Sequence, residues 1–122
     1  MSLVKDFAPV VLLVGHGSHT SNNPQRAALD CGACCGQTGE VNARLLARTL
    51  NKTKVRKGLR ERGIDIPDQT LFVPALHTTT TDIVTLFDVE HLPSPEQARL
   101  KPIREALVLA GESVRRERAA RL

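Results

Sequence analysis

A chain of 122 residues has room for one compact core but not for two independent domains. Its composition, 41% hydrophobic and 25% charged, is that of a globular protein, and three Phe with no Trp or Tyr leave the core to Leu, Val, Ile and Ala. The net charge of +4 does not indicate nucleic-acid binding: the basic residues recur among Glu at helical spacing, from Arg44 to Arg62 and from Arg99 to Arg121, as a solvated helix face would, and no aromatic side chains accompany them to stack on bases.

Residues 1–8 carry no regular pattern, and Met1-Ser2-Leu3 reads as an added leader. Pro9 to Val14 is a continuous aliphatic and β-branched run closed by Gly15, the pattern of a parallel strand buried on both faces. That strand delivers His16 to its C-terminal edge, where open α/β sheets bind ligands. The longest apolar run, Ala8 to Val14, is far short of the roughly 20 residues that span a bilayer, and the basic start of a signal peptide is missing.

Asn22-Asn23-Pro24 is a turn signal, Gln25 to Leu29 suits a short helical turn, and the Gly-rich stretch Cys31 to Gly39 follows as loop. Thr38 is placed to cap a helix from Gly39 to Leu50, with Val41, Leu45, Leu46 and Leu50 on its apolar face. A second helix is expected from Lys54 to Arg62, stopped by Gly63. Thr70 to Leu76 reads as a strand broken or ended by Pro74, and Ile83 to Val89 as a third. Ser94 and Pro95 open a last helix, Ser94 as its cap, running to Arg118 with Pro102 as a potential kink. The expected fold is a single small layered α/β domain over residues 1–122: a short, mostly parallel sheet of about three strands flanked by helices, thin enough to be part of a larger sheet.

All three cysteines and two of the four histidines fall between Gly15 and Gly36. An odd number of cysteines, two of them adjacent, argues against a disulfide framework and for reduced thiols in a cytoplasmic setting. Imidazole at a strand end followed 15 residues later by the Cys31 thiol suits Zn²⁺, which accepts nitrogen and sulfur donors. Two ligands are not a site, and Asp30, Cys34, Cys35, His19 and His77 are the nearby candidates to extend it. The alternatives are a Cys31–Cys34 redox pair, or cysteines serving as small hydrophobes beside a hydrogen-bonded His16. Gly15-His16-Gly17-Ser18 has serine in the wrong place for a nucleophile elbow, and no Gly-Lys-Ser/Thr ending marks a phosphate loop. His77 and the four threonines after it form a second polar cluster behind a strand, readable either as a neighbour of the first or as an exposed turn capped by Asp82.

Three stretches, "GHGSHTSNNPQRAALDCGACCGQTGEVNARLLARTLN", "GIDIPDQTLFVPALHTTTTDIVTLFD" and "RRERAARL", resemble the DabA family, the large soluble subunit of bacterial energy-coupled inorganic carbon transporters. The resemblance covers nearly the whole chain from Pro9. It implies a zinc site similar to that of β-type carbonic anhydrases, with His16 and Cys31 as metal ligands and one Cys and one Asp supplied by a Cys-x-Asp-x-Arg segment; Ser18, Asp30, Cys34 and His77 are the candidate neighbours of that site in this sequence. That segment is missing from this sequence, and family members are many hundreds of residues long, so the chain reads as an internal or C-terminal fragment. Cys35 also stands where the family pattern leads one to expect glycine.

By this resemblance the chain is the His/Cys half of a Zn²⁺-dependent, CO₂-hydrating subunit of a bicarbonate uptake complex. Alone it would be inactive and bind zinc weakly or not at all. Its implied partners are the remainder of the parent subunit and a proton- or cation-conducting membrane subunit on the cytoplasmic face of the inner membrane, with self-association of the fragment also expected. The alternative from another class is a non-catalytic domain that binds a partner chain through its unfinished sheet or basic helices.

Overall fold

The aliphatic run after Pro9 forms strand β1, Val10–Gly17, in the computed structural model, which describes residues 3–121. Of the expected leader, Met1 and Ser2 lie outside the described residues, and no helix or strand precedes Val10 among those described. Short 3-10 turns at Arg26–Ala28 and Gly32–Cys34 interrupt the loop that follows. Then come helices α1, Glu40–Leu50, and α2, Thr53–Arg60. Strands β2, Leu71–Thr78, and β3, Ile83–Leu86, lead to the long helix α3, Ser94–Ala119.

The sheet order is β1-β2-β3. β1 pairs with β2 in parallel from Val10↔Leu71 to Gly17↔Thr78, with α1 and α2 in the crossover, while β3 runs antiparallel to β2 from Ala75↔Leu86 to Thr78↔Ile83. The expected small α/β domain with a three-strand sheet flanked by helices therefore holds, the sheet being mixed, with one of its two strand pairs parallel. Alternation along the strands sends successive side chains to opposite faces. On one face Val73, Ala75 and Leu86 pack with Leu100 of α3; on the other Leu13 and Phe72 pack with Ala47 of α1 and with Ile66. Phe7, within the segment expected to be irregular, meets Phe72 edge-on at 6.2 Å between ring centroids.

Several expectations need correction. β1 is not buried on both faces: it is an edge strand, and because α3 packs over β3 the same side of β1 is covered only in part, Val10 and Leu12 packing against the core while Val14 is 51% exposed. Of the apolar face expected on α1, Val41, 71% exposed, Leu45, 64% exposed, and Leu46 point outward and only Leu50 packs against the core; the helix instead approaches the sheet through Ala43 and Ala47. The reason is the spacing at the crossing of β1 and α1. A Cβ on Gly15 would lie 2.5 Å from the Gly39 carbonyl, so the two backbones touch and only small side chains fit beside them.

The same crossing replaces the Thr38 cap. α1 starts at Glu40 with Gly39 in the cap position and no side-chain cap, its start set by Gly39 N–H donating to His16 O at 2.8 Å. Ser94 is likewise the first residue of α3 rather than its cap, and Pro102 lies inside a helix that continues through it. Pro74 does not end β2, because it retains its carbonyl, which accepts from Phe87 N at 2.9 Å, and forfeits only a donor at the end of the β2–β3 ladder. β3 stops at Leu86, short of Val89.

Candidate metal centre

The exposed His16 is the penultimate residue of β1, and the Gly15–Gly39 contact lays the start of α1 across the strand end. The chain between them is drawn into a tight knuckle. Cys31 N donates to Gln37 O at 3.0 Å, and Cys31 O accepts from Cys34 N at 3.0 Å and Gly36 N at 3.1 Å. Closing this ring puts Cys35 at φ +56° and Gly36 at φ +72°, both in the left-handed region. That geometry explains why a glycine is expected at position 35, where cysteine now carries the cost of a β-carbon.

Asp30, buried and immediately before Cys31, ties the knuckle to the strand: its carboxylate accepts from Ser18 N at 2.7 Å and Ser18 Oγ at 3.0 Å and lies 3.6 Å from Arg26. His16, Cys31 and Cys34 consequently line one open pocket of about 310 Å³, together with Asn42, Gly39 and Leu46. The larger cavity, about 680 Å³, lies between α1 and β2, lined by Arg44, Arg48, Phe72 and Asp88 among others, and holds neither histidine nor cysteine. It therefore offers no nitrogen or sulfur donor to a metal.

Within the pocket the donors are an imidazole and thiols, the set that Zn²⁺ takes. Cys34 Sγ accepts from Asn42 Nδ2 at 3.2 Å. A hydrogen bond with the Cys31 thiol, and to a lesser extent partial burial, hold the Cys34 thiol above its ordinary pKa. Among the described residues no three His, Cys, Asp or Glu side chains gather as a metal-holding group. His16 and Cys31 are a nitrogen and a sulfur donor lining one pocket, beside an Asp30 held by Ser18.

His77 is the register partner of His16 but does not line its pocket. Its Nε2 is 3.3 Å from Oδ1 of the buried Asp82, which Arg118 of α3 also pairs. The threonines after it are not a free turn, since Thr79 donates to Gly17 O and Thr80 bonds the backbone of His19. Asp82, Asn42, Arg115 and Arg118 were outside the expected site. The available signal was the spacing of Gly111, Arg115 and Arg118, which share one face of a helix.

A family model described as "Probable inorganic carbon transporter subunit DabA" matches residues 1–122. Curated relatives with that name include proteins of Methylovorus glucosotrophus, 53% identical over 122 residues, and Ectopseudomonas mendocina, 55% identical over 122 residues, each match covering the whole of this chain. One from a Methylobacterium species is 57% identical over 124 aligned residues, again across the whole chain. No solved structure matches. The chain spans only 14% to 15% of the length of these relatives. With identity above half from end to end, and with a family model matching every residue, this chain belongs to the DabA family of inorganic carbon transporter subunits.

Proposed function

We propose that this segment contributes His16 and Cys31 to a Zn²⁺ centre that hydrates CO₂ in an inorganic carbon uptake complex, the other ligands coming from a part of the full-length subunit outside these residues. The observation that carries the reading is the pocket at the end of β1, lined by one imidazole and the Cys31 thiol, 15 positions apart in the chain and brought together by a loop that Asp30 closes. Zn²⁺, when bound, supplies the Lewis acidity that makes water nucleophilic toward CO₂ near neutral pH.

The residues present have separate tasks. His16 and Cys31 would hold the metal; Asp30 and Ser18 fix the loop so that the two donors face one space. Leu13 and Leu46 give that space an apolar wall, which strengthens electrostatic interactions there and suits an apolar substrate such as CO₂. With two of the four ligands here, the isolated chain forfeits most of the chelate stabilisation and is expected to bind metal weakly and to be inactive. No helix of the described residues is long and apolar enough to cross a membrane. As part of the same proposal, coupling to a cation gradient passes through a separate membrane subunit at the cytoplasmic face.

Zinc analysis of the purified full-length subunit tests this. His16→Ala and Cys31→Ala are each expected to abolish stoichiometric zinc and CO₂ hydration, while Cys35→Ala keeps both. Unchanged zinc in both alanine variants would overturn the assignment.

A further inference from the structure

Gly111, Arg115 and Arg118 of α3 all meet the segment Thr78–Asp82. A Cβ at Gly111 would lie 2.6 Å from the Asp82 carbonyl oxygen, so the helix backbone rests on the loop. Arg115 Nη1 donates to Thr81 O at 3.0 Å. Arg118 Nη1 donates to Thr79 O at 3.1 Å, and the Arg118 guanidinium pairs with the Asp82 carboxylate, whose side chain is only 5% exposed. Asp82 sits at φ +55° and also faces His77 Nε2 at 3.3 Å.

The loop grips the segment after His16 in turn. Thr79 N and Oγ1 donate to Gly17 O at 2.9 and 3.0 Å. Thr80 Oγ1 accepts from His19 N and donates to His19 O, each at 3.0 Å. Between these two anchors Ser18 bonds Asp30, the neighbour of Cys31. A continuous set of contacts therefore runs from the C-terminal turns of α3 to Gly17 and Asp30, the chain neighbours of the two donors.

We propose that Asp82 and Arg118 are positioning residues for His16 and Cys31, acting through Thr79, Thr80 and the Ser18–Asp30 clamp. The chemistry of the positioned groups rests on the zinc reading above; the mechanical linkage does not. Without Arg118 the buried Asp82 carboxylate loses its permanently charged partner, and a buried carboxylate so stranded pulls the loop toward water. The Thr79 and Thr80 contacts then open together, and the His16 and Cys31 side chains lose their fixed separation.

Amide hydrogen exchange on the 122-residue chain, followed by NMR, reads the linkage. Arg118→Met and Asp82→Asn are expected to speed exchange about tenfold at Thr79, Ser18 and Cys31, leaving Ile64 and Asn51 at wild-type rates, since local openings are independent of distant ones. Arg118→Lys, which retains the charge, restores most of the protection. In the full-length subunit, Arg118→Met is expected to speed zinc loss to a chelator by roughly tenfold, as loss of a supporting contact does, and Arg118→Lys less.

Faster exchange at Thr79 with Ser18 and Cys31 unmoved would overturn the proposal, because the linkage would end at the threonines. Zinc loss at the wild-type rate in Arg118→Met would overturn it too. Should Arg118→Met unfold the chain, seen as exchange at Ile64 and Asn51, Arg115→Met must reproduce the local pattern or the proposal falls. Zinc retained in His16→Ala and Cys31→Ala defeats the zinc reading instead, and the exchange pattern still decides the linkage.

Discussion

Cys34 and Cys35 are adjacent in the chain and differ in chemistry because the knuckle turns them to different surroundings. Cys34 is half-buried beside Cys31 and Asn42; Cys35 is exposed at a left-handed φ. The raised Cys34 pKa means the folded chain holds that thiol proton more tightly than the unfolded one. The associated stabilisation is present at neutral pH and is lost only as pH rises through the raised value. Since thiolate is the reactive form, iodoacetamide at pH 8 should label Cys35 before Cys34 in the metal-free chain, as peptide mass mapping over time would show. Preferential labelling of Cys34 would mean that the Cys31–Cys34 hydrogen bond is absent in solution. The cluster itself was legible as a metal candidate from residue types and spacing. That Asp30 clamps the loop to Ser18 was not, because a carboxylate twelve residues from its partner leaves no mark in a periodic pattern.

Arg56 illustrates the element scale. Basic residues between Arg44 and Arg62 suggest a solvated face, yet Arg56 is 8% exposed. Its guanidinium donates to Leu50 O at the end of α1, to Pro67 O and Asp68 O in the connector, to Thr70 O before β2, and to Asn51 Oδ1. One side chain thereby joins both crossover helices to the start of the central strand, with its plane 5.8 Å from the Phe72 ring. Removing it strands several buried carbonyls, so Arg56→Met is expected to cost about 3 kcal/mol of stability in urea unfolding. Arg56→Lys should recover little, since an ammonium cannot reach a forked set of acceptors. A loss below about 1 kcal/mol would show that water replaces these bonds freely.

At the scale of the whole molecule, the sheet has an open edge at β1, and apolar side chains stand in solvent on α1 and α3: Val41, Leu45, Val108 and Leu109 are each at least 60% exposed. Exposure of this kind marks a contact surface. In a chain that spans about a seventh of its relatives' length, such a surface is consistent with contact to the remainder of the subunit. The isolated chain should accordingly self-associate, with a sedimentation coefficient that rises with concentration. The double variant Val41→Lys and Leu45→Lys should lower that rise without loss of helix content. A strictly monomeric wild type would instead favour a domain complete in itself.

Local chemistry in the sequence was enough to indicate the α/β class, the order of strands and helices and the strand-end position of His16, because each depends on neighbours along the chain: periodicity and turn residues. Which face of α1 turns inward, why Pro74 is tolerated in the central strand, and how Arg118 reaches a loop 36 residues away were decided by the tertiary structure. These outcomes depend on where backbones cross, at Gly15 against Gly39 and at Gly111 against Asp82, and close approach between segments distant in sequence is a steric fact that no local pattern encodes.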